Sequence, residues 1–352
     1  MIRIDGSQGE GGGQVLRTAL ALAVLTAQPV EITRIRARRR NPGLAPQHLA
    51  GVLAAARICN AEVEGARIRS TTLTFRPGSP PQAGTYEFDI SKMAEQSSAG
   101  AVTLLLQTIL LPLALADGPS RLLLRGGTHV AWSPPAHYVE WVLLPMLARL
   151  GLRASMRLIE WGWYPVGGGQ IEVTVEGRAH LRGIDLTERG PLVELKGVAA
   201  ASNLPSHIPQ RMAARVNNLL REAGLPGNVQ PLRTGGPSTG AGIFIAACYE
   251  HSIAGFSALG ERGKPSDVVA EEAVGPLIAF HRQWAALDEH LPDQLIPALA
   301  LAEGPSVLST VAITRHVLTN IDIVRHFVQR SIIVEGAEGQ AGIIRVEGTS
   351  TP

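Results

Sequence analysis

The stretch Asp293-Gln294-Leu-Ile-Pro-Ala-Leu-Ala-Leu-Ala-Glu-Gly-Pro305 leads into an extended run over 307–313 and then to Thr314 and His316. It reads as an apolar helix, a Pro-containing turn and a β-strand, because Gly-Pro stops a helix and admits extended backbone. The same pattern occurs twice more. Leu16-Arg17-Thr18 opens a Leu/Ala-rich helix that ends at Gln28-Pro29 before a strand over 30–36. Leu106-Gln107 opens another that ends at Asp117-Gly118-Pro119 before a strand over 122–128. Tandem helix-plus-strand units of this length pack their strands into sheets covered on one face by helices, so the expected class is α+β with internal pseudo-symmetry.

Within this repeat frame the chemically loaded residues fall at matching points. Arg17, Gln107 and Gln294 come early in the three helices; Arg36, Thr128 and His316 come at or past the three strand ends. One shared site is therefore expected where those ends converge. Residues 186–285 break the pattern and read as a separate α/β unit, with strands over 192–199 and 242–250, helices over 208–223 and 266–287, and a Gly/Pro-rich surface loop over 233–242. That leaves 1–185 and 286–352 for one large domain with the smaller unit inserted in it.

With 352 residues and 45% hydrophobic content, the chain can bury a large core. Its longest apolar runs are interrupted by Gln or Pro and fall short of the roughly 20 residues that span a bilayer, so no membrane span is expected. Met1 leads straight into the strand-like Ile2-Arg3-Ile4 with no export leader, which points to the cytoplasm. Cys59 and Cys248 lie far apart in apolar runs and suit buried thiols better than a disulfide or a thiolate metal site. A net charge of +2 is too weak to argue for nucleic acid on its own, and no feature marks an obligate protein partner.

Four local features carry chemistry. The glycine run Asp5-Gly-Ser-Gln-Gly-Glu10-Gly-Gly-Gly-Gln14 lies between a strand and a helix. Backbone N–H groups there can approach an anion, Glu10 can hold a divalent metal, and Arg17 can neutralise phosphate. No Gly-Lys-Ser/Thr follows, so it is not a Walker A loop. Next, Arg34-Ile-Arg36-Ala-Arg38-Arg39-Arg40 concentrates guanidinium groups at a strand end, with Arg34 and Arg36 expected on one strand face, an arrangement suited to phosphates such as those at RNA ends.

The scarcity of lysine also matters. Lys92, Lys196 and Lys264 are the only ones, and none stands in the Lys-x-Asp-Gly setting of enzymes that carry AMP on lysine. A covalent AMP carrier would have to be another residue, and neutral imidazole attacks phosphorus well near neutral pH. His316 is the candidate: it ends a repeat, follows Asp293, which can orient an imidazole, and is followed by Thr319-Asn320. His129, His137, His180, His207, His251, His281 and His326 lack that combination and read as structural or surface residues.

At this point the chain resembles the RNA 3′-terminal phosphate cyclase family over essentially its whole length. The resemblance rests on Asp5-Gly-x-Gln-Gly-Glu-Gly-Gly-Gly-Gln-x-Leu-Arg17, Ile35-Arg-Ala-x-Arg39, Pro42-Gly-Leu, Gln47-His48, Phe75-Arg-Pro-Gly78, Gly126-Gly-Thr128, Pro134-Pro135, Tyr164-Pro-x-Gly-Gly-Gly169 and Leu291-x-Asp-Gln294 before His316. It implies a large domain of three β-α-β-α-β-β repeats with a smaller α/β domain inserted before the third.

It also implies an ATP-dependent enzyme that turns an RNA 3′-phosphate into a 2′,3′-cyclic phosphate through a histidyl-AMP and an RNA-adenylate. By position, His316 would be the adenylated nucleophile with Asp293 a close partner. Glu10 would help place a divalent metal, Mg or Mn. Arg17, Arg36, Arg39 and Gln47 would hold phosphates of ATP or of the RNA end. Gln107, Pro134, Phe256, His290 and Gln294 would line the nucleotide pocket, with His290 and Pro134 near adenine. Three positions depart from the family pattern: Trp161 stands where Arg or His is usual, His129 where an acidic or amide residue is common, and Pro292 where Ala is usual.

Two other readings share features with this one. A non-catalytic cyclase-like factor of RNA processing would lack the nucleophile, and His316 argues against it. An enolpyruvyl transferase on comparable repeats would use lysines that this chain does not have at matching positions.

Overall fold

The computed structural model describes residues 1–93 and 99–348. Strand β1 (Ile2–Asp5) is followed by helix α1 (Gly13–Thr26), β2 (Val30–Thr33), α2 (Pro46–Cys59), β3 (Glu62–Glu64) and β4 (Leu73–Arg76). These strands form a sheet of order β1-β2-β4-β3, with β1 parallel to β2 and the other pairings antiparallel. A second sheet is built from β5 (Thr85–Asp89), β6 (Ser120–Gly126), β7 (Ala154–Glu160) and β8 (Gly169–Val175) in the order β5-β6-β8-β7. Between its strands come α3 (Val102–Leu115), α4 (Ala136–Tyr138), a π-helical turn at Val139–Leu143 and α5 (Leu144–Arg149).

After β9 (Asp185–Leu186) the chain makes β10 (Leu192–Ser202), α6 (His207–Glu222), β11 (Asn228–Thr234), β12 (Gly240–Tyr249), β13 (Ile253–Leu259) and α7 (Ser266–His281). Strands β10 to β13 form a separate sheet of order β11-β10-β12-β13. The chain then returns through α8 (Leu291–Leu301), β14 (Ser306–Thr310), α9 (Arg315–Phe327), β15 (Ile332–Glu335) and β16 (Gly342–Val346), and β14 pairs in parallel with β9. The resulting order, β9-β14-β16-β15, repeats the one parallel and two antiparallel pairings of the first two sheets. The molecule is thus α+β, with mixed sheets and helices between them.

Helix α1 has almost no polar face. Val15, Leu16, Ala19, Leu20, Leu22 and Ala23 are all buried, and a helix apolar all round must lie inside. It packs against α2, α3 and α9, and α8 packs against α9, so the helices form the centre and the three similar sheets the outside. Helices α6 and α7 close a second core of their own against β10–β13. A small aromatic core of Trp161, Trp163 and Phe244 joins the second sheet's loop to the separate sheet.

Two boundaries differ from the sequence expectation for physical reasons. The strand expected over 30–36 stops at Thr33, because Ile35 is pulled into the core at 1% exposure while its N–H bonds Thr71. Arg34 and Arg36, on either side, are left in the left-handed region with φ of 51° and 54°, inside a turn rather than on a strand face. The helix expected over 266–287 stops at His281, where the Arg189 guanidinium donates to the carbonyls of Phe280, His281 and Ala285 and so terminates it.

Candidate active site

The N-terminal ends of five helices meet in one region. His48, in the first turn of α2, lies against Gly13 at the start of α1: a Cβ on Gly13 would be 2.1 Å from its Nε2. The Gln47 carbonyl oxygen accepts from the backbone of Ala101 just before α3, at 3.3 Å. Thr319, in the first turns of α9, accepts from the Glu10 backbone at 3.0 Å, and Gln14 of α1 donates to Asp293 in the first turn of α8 at 2.7 Å. Converging N-terminal dipoles make this region electropositive before any side chain is counted.

His316 projects from the first turn of α9, one residue past the start of a helix whose N-cap Thr314 accepts from Val317. The side chain is open to solvent on one side. Partial burial, then the charges of Arg17, Arg39 and His290, pull its pKa below the ordinary 6.5, which keeps the imidazole neutral and nucleophilic. Arg17 has no hydrogen bond or ion pair among the described residues. Burial lowers its pKa to about 10, against the opposing pull of Asp293, so it remains a cation awaiting an anion.

Arg17 lines a cavity of about 60 Å³ together with the polar Gln14, Gln107, Asp293, Gln294 and Asn320 and several leucines. Gln107 donates to Gln294 at 2.6 Å, and Gln294 donates on to the His290 carbonyl at 2.8 Å, so the three early-helix positions Arg17, Gln107 and Gln294 come together as the repeat frame requires. The Asp293 carboxylate accepts from Gln14 and not from His316, and the Asp293 carbonyl accepts from Asn320 at 2.6 Å. Burial raises the Asp293 pKa to about 7, even though His290 and Arg17 oppose the rise.

The Arg-rich turn closes one wall of the site. Arg36 donates to the Gly43 carbonyl at 2.9 Å, Arg38 to the Gly9 carbonyl at 3.1 Å, Arg34 pairs with Asp5 and Arg39 pairs with Glu10. Buried His48 faces Arg36, Arg17 and Arg39. Burial first and those three charges next push its pKa down to about 3, so it stays neutral and its Nδ1 accepts from the Ala45 backbone. Among the described residues no group of three or more His, Cys, Asp or Glu is arranged to hold a metal ion. Glu10 is thus a lone carboxylate, a donor set that fits a metal taking its other ligands from phosphate and water.

The remaining expected residues are split. His290 stands at the N-cap position of α8, its ring edge-on to that of Tyr138 with the centroids 6.4 Å apart, and its charge bears on both His316 and Asp293. Pro134 sits half-buried in the loop before α4. Phe256 packs on Phe280 at 5.6 Å and lines a separate small cavity with Pro135 and Tyr138, so it does not join the Arg17 cavity. His129 and Trp161, two of the departures from the family pattern, stack on each other at 4.4 Å; His129 also bonds Thr128 and His137 at 2.8 Å each.

Several residues at the site carry little sequence signal. Gln14, Thr18 and Asn320 form a buried chain, with Thr18 donating to Asn320 at 2.6 Å. Asp288 accepts from Tyr138, from Gly255 and from the backbones of His290 and Leu291, all at 2.9 Å, and so ties α4, β13 and the start of α8 together. The available hints were the position of Gln14 at the end of the glycine run and that of Asn320 shortly after His316.

The family model described as "RNA 3'-terminal phosphate cyclase" matches residues 8–334. Among curated relatives bearing that name, the one from Gloeothece citriformis is 53% identical over 93% of both chains. The one from Trichormus variabilis is 52% identical over 96% of this chain and 97% of its own. The one from Methylococcus capsulatus is 50% identical over 99% of this chain and 97% of its own. Matches of this length and identity reach from the glycine run through His316 to β15, and by them the chain belongs to the RNA 3′-terminal phosphate cyclase family.

Proposed function

We propose that this protein is an RNA 3′-phosphate cyclase that consumes ATP and carries AMP on His316. The observation that carries the reading is a neutral imidazole, presented in the first turn of α9, beside an unpaired Arg17 and the ends of five helices. Relatives about half identical over almost the whole chain carry the cyclase name.

In the first step a ring nitrogen of His316 attacks the α-phosphorus of ATP, the P–N bond forms and pyrophosphate leaves. An oxygen of the RNA 3′-phosphate then attacks that phosphorus and frees the histidine. Last, the neighbouring 2′-hydroxyl attacks the 3′-phosphorus, closes the ring and releases AMP. Arg17, Arg36, Arg39 and Gln47 hold the phosphates and stabilise charge as it develops, the part that positioning and electrostatics play in phosphoryl transfer. Gln107, Gln294, His290 and Pro134 shape the nucleotide pocket, Phe256 stays outside it in the separate cavity beside Tyr138, and Asp293 contributes to the polar lining next to Arg17. A bound Mg or Mn ion would neutralise phosphate charge, with Glu10 as the protein ligand that holds it.

The three sheets of matching order support a large domain of three β-α-β-α-β-β repeats at 1–185 and 286–352. The self-contained core of β10–β13 with α6 and α7 supports an inserted domain at 186–285. No helix among the described residues is long and apolar enough to cross a membrane, and RNA-end chemistry fits a cytoplasmic setting. Incubation with ATP labelled at the α-phosphate tests the reading: acid-labile, base-stable label is expected on the wild-type protein and none on His316→Ala. Full labelling and cyclisation by a folded His316→Ala protein would falsify it.

A further inference from the structure

Trp132 is 98% exposed, the highest of any large apolar side chain among the described residues, and its backbone sits at φ +64°. A bulky residue in the left-handed region is strained, and an exposed indole gains nothing from burial, so the fold sustains two costs at one position with no internal return. Nor is the indole there by looseness. The loop is closed by Ala136 N–H donating to Thr128 at 2.9 Å and by Ser133 Oγ donating to the Val130 carbonyl at 2.9 Å. Val130 is clamped in a small core with Ala101 and Leu104, and Pro134-Pro135 stiffen the exit.

The position of the loop gives the exposure a meaning. At one end Val130 packs on Ala101, whose N–H reaches Gln47; at the other, α4 carries Tyr138 to the ring of His290, whose charge bears on His316. The loop that carries Trp132 therefore runs from the Gln47 corner to the His290 corner of the site. Its chain neighbours, Ala131 and Ser133, are small, so along this loop the indole offers one flat π-face. A lone presented π-face suits a nucleobase, and single-stranded RNA ends are bound largely by stacking on such faces.

We propose that Trp132 is a stacking platform for a base at the 3′ end of the RNA substrate, a subsite separate from the phosphate and ATP contacts. The proposal rests on the cyclase reading for the identity of the ligand. It is tested with the full-length protein and a fluorescein-labelled RNA oligonucleotide ending in 3′-phosphate, measured by anisotropy, beside the same oligonucleotide made abasic at its last few positions. Trp132→Ala should weaken binding of the base-bearing RNA about tenfold, as the loss of one stacked base does, and Trp132→Phe should restore most of it. The abasic RNA should bind wild type and Trp132→Ala equally, and labelling of the protein by ATP should proceed at the wild-type rate in both variants.

Undiminished RNA binding by Trp132→Ala overturns the proposal, and so does a loss that persists on the abasic RNA. A parallel loss of ATP labelling overturns it too, because the indole would then serve adenine or the fold. If the wild-type protein takes no label from ATP while the RNA measurements come out as expected, the cyclase reading fails and the stacking site stands.

Discussion

The Gln14 side-chain amide donates to Asp293 Oδ2 at 2.7 Å across the seam of α1 and α8, while its own carbonyl oxygen, equally buried, has no partner among the described residues. A buried acceptor left unsatisfied costs about 1–3 kcal/mol, and a carboxylate next to it cannot supply a proton. Burial has meanwhile raised the Asp293 pKa from 3.8 to about 7. An acid whose folded pKa lies above its unfolded one contributes stability that is complete below the unfolded value and is lost as pH rises through the folded one. A shift of this size corresponds to roughly 4 kcal/mol as an upper bound. Asp293→Asn removes the charge and offers the donor that Gln14 Oε1 lacks. Its melting temperature at pH 8 should exceed that of wild type by several degrees, and the gap should close toward pH 4. A variant that melts lower than wild type at pH 8 refutes the argument.

The second prediction concerns the protonation of His316. Because its pKa is held below the ordinary 6.5, labelling by ATP should keep its full rate to pH values below 6.5 before the acid limb sets in. Removing a neighbouring cation lets the imidazole hold its proton more tightly. Arg17→Gln should therefore move that limb to higher pH as well as slow the reaction. A limb unmoved by the substitution, in single-turnover labelling across pH 5 to 8, would show that the guanidinium acts on phosphate alone.

Part of this arrangement was legible in the sequence, because the helix-turn-strand pattern recurs there. The alignment of Arg17, Gln107 and Gln294 needs only a helical register and three copies of one unit, and the structure brings all three to one cavity. The place of His316 past the end of the last strand was legible from the same pattern, and the structure puts it in the first turn of α9. The Gln14–Asp293–Asn320–Thr18 chain was not, because it depends on α1, α8 and α9 meeting across about three hundred residues of sequence. The turn at Arg34 and Arg36 was misread as strand because an Arg-Ile-Arg alternation satisfies a period of two, while the burial of Ile35 and its bond to Thr71 are long-range facts.

Acid should loosen the aromatic seam. His129 and His137 are buried against each other, Trp161 and Phe244, and burial drives the His137 pKa down to about 4 and that of His129 well below normal. A histidine with a depressed folded pKa is protonated in the unfolded chain first, so its stability contribution is present above pH 6.5 and falls away as pH drops toward 4. For His137 that is roughly 3 kcal/mol across the window. His137→Phe should melt lower at pH 8, because His129 Nε2 loses its partner, yet its stability should fall less steeply between pH 6.5 and 4. An acid limb as steep as wild type in pH-dependent urea melts would rule this out.

Adjacent glycines at the start of α1 should fail in different ways when given a methyl group. Neither Gly12 nor Gly13 has a positive φ, so the backbone tolerates alanine and only space decides. At Gly13 a Cβ would lie 2.1 Å from Nε2 of His48, a ring that is 6% exposed and anchored to the Ala45 backbone. That ring has nowhere to go, so Gly13→Ala should cost about 1–3 kcal/mol of stability and drag Gln47 out of place. At Gly12 the Cβ would meet the Glu10 carboxylate at 2.0 Å, the far end of a flexible side chain whose ion-pair partner, Arg39, is half exposed and can move with it. Gly12→Ala should therefore melt close to wild type while requiring several-fold more Mg or Mn for half-maximal labelling by ATP, since it displaces Glu10, the carboxylate proposed to hold the ion. Titration of each variant with metal, alongside its melting curve, separates the two outcomes; equal metal dependence of Gly12→Ala and wild type would remove Glu10 from that role.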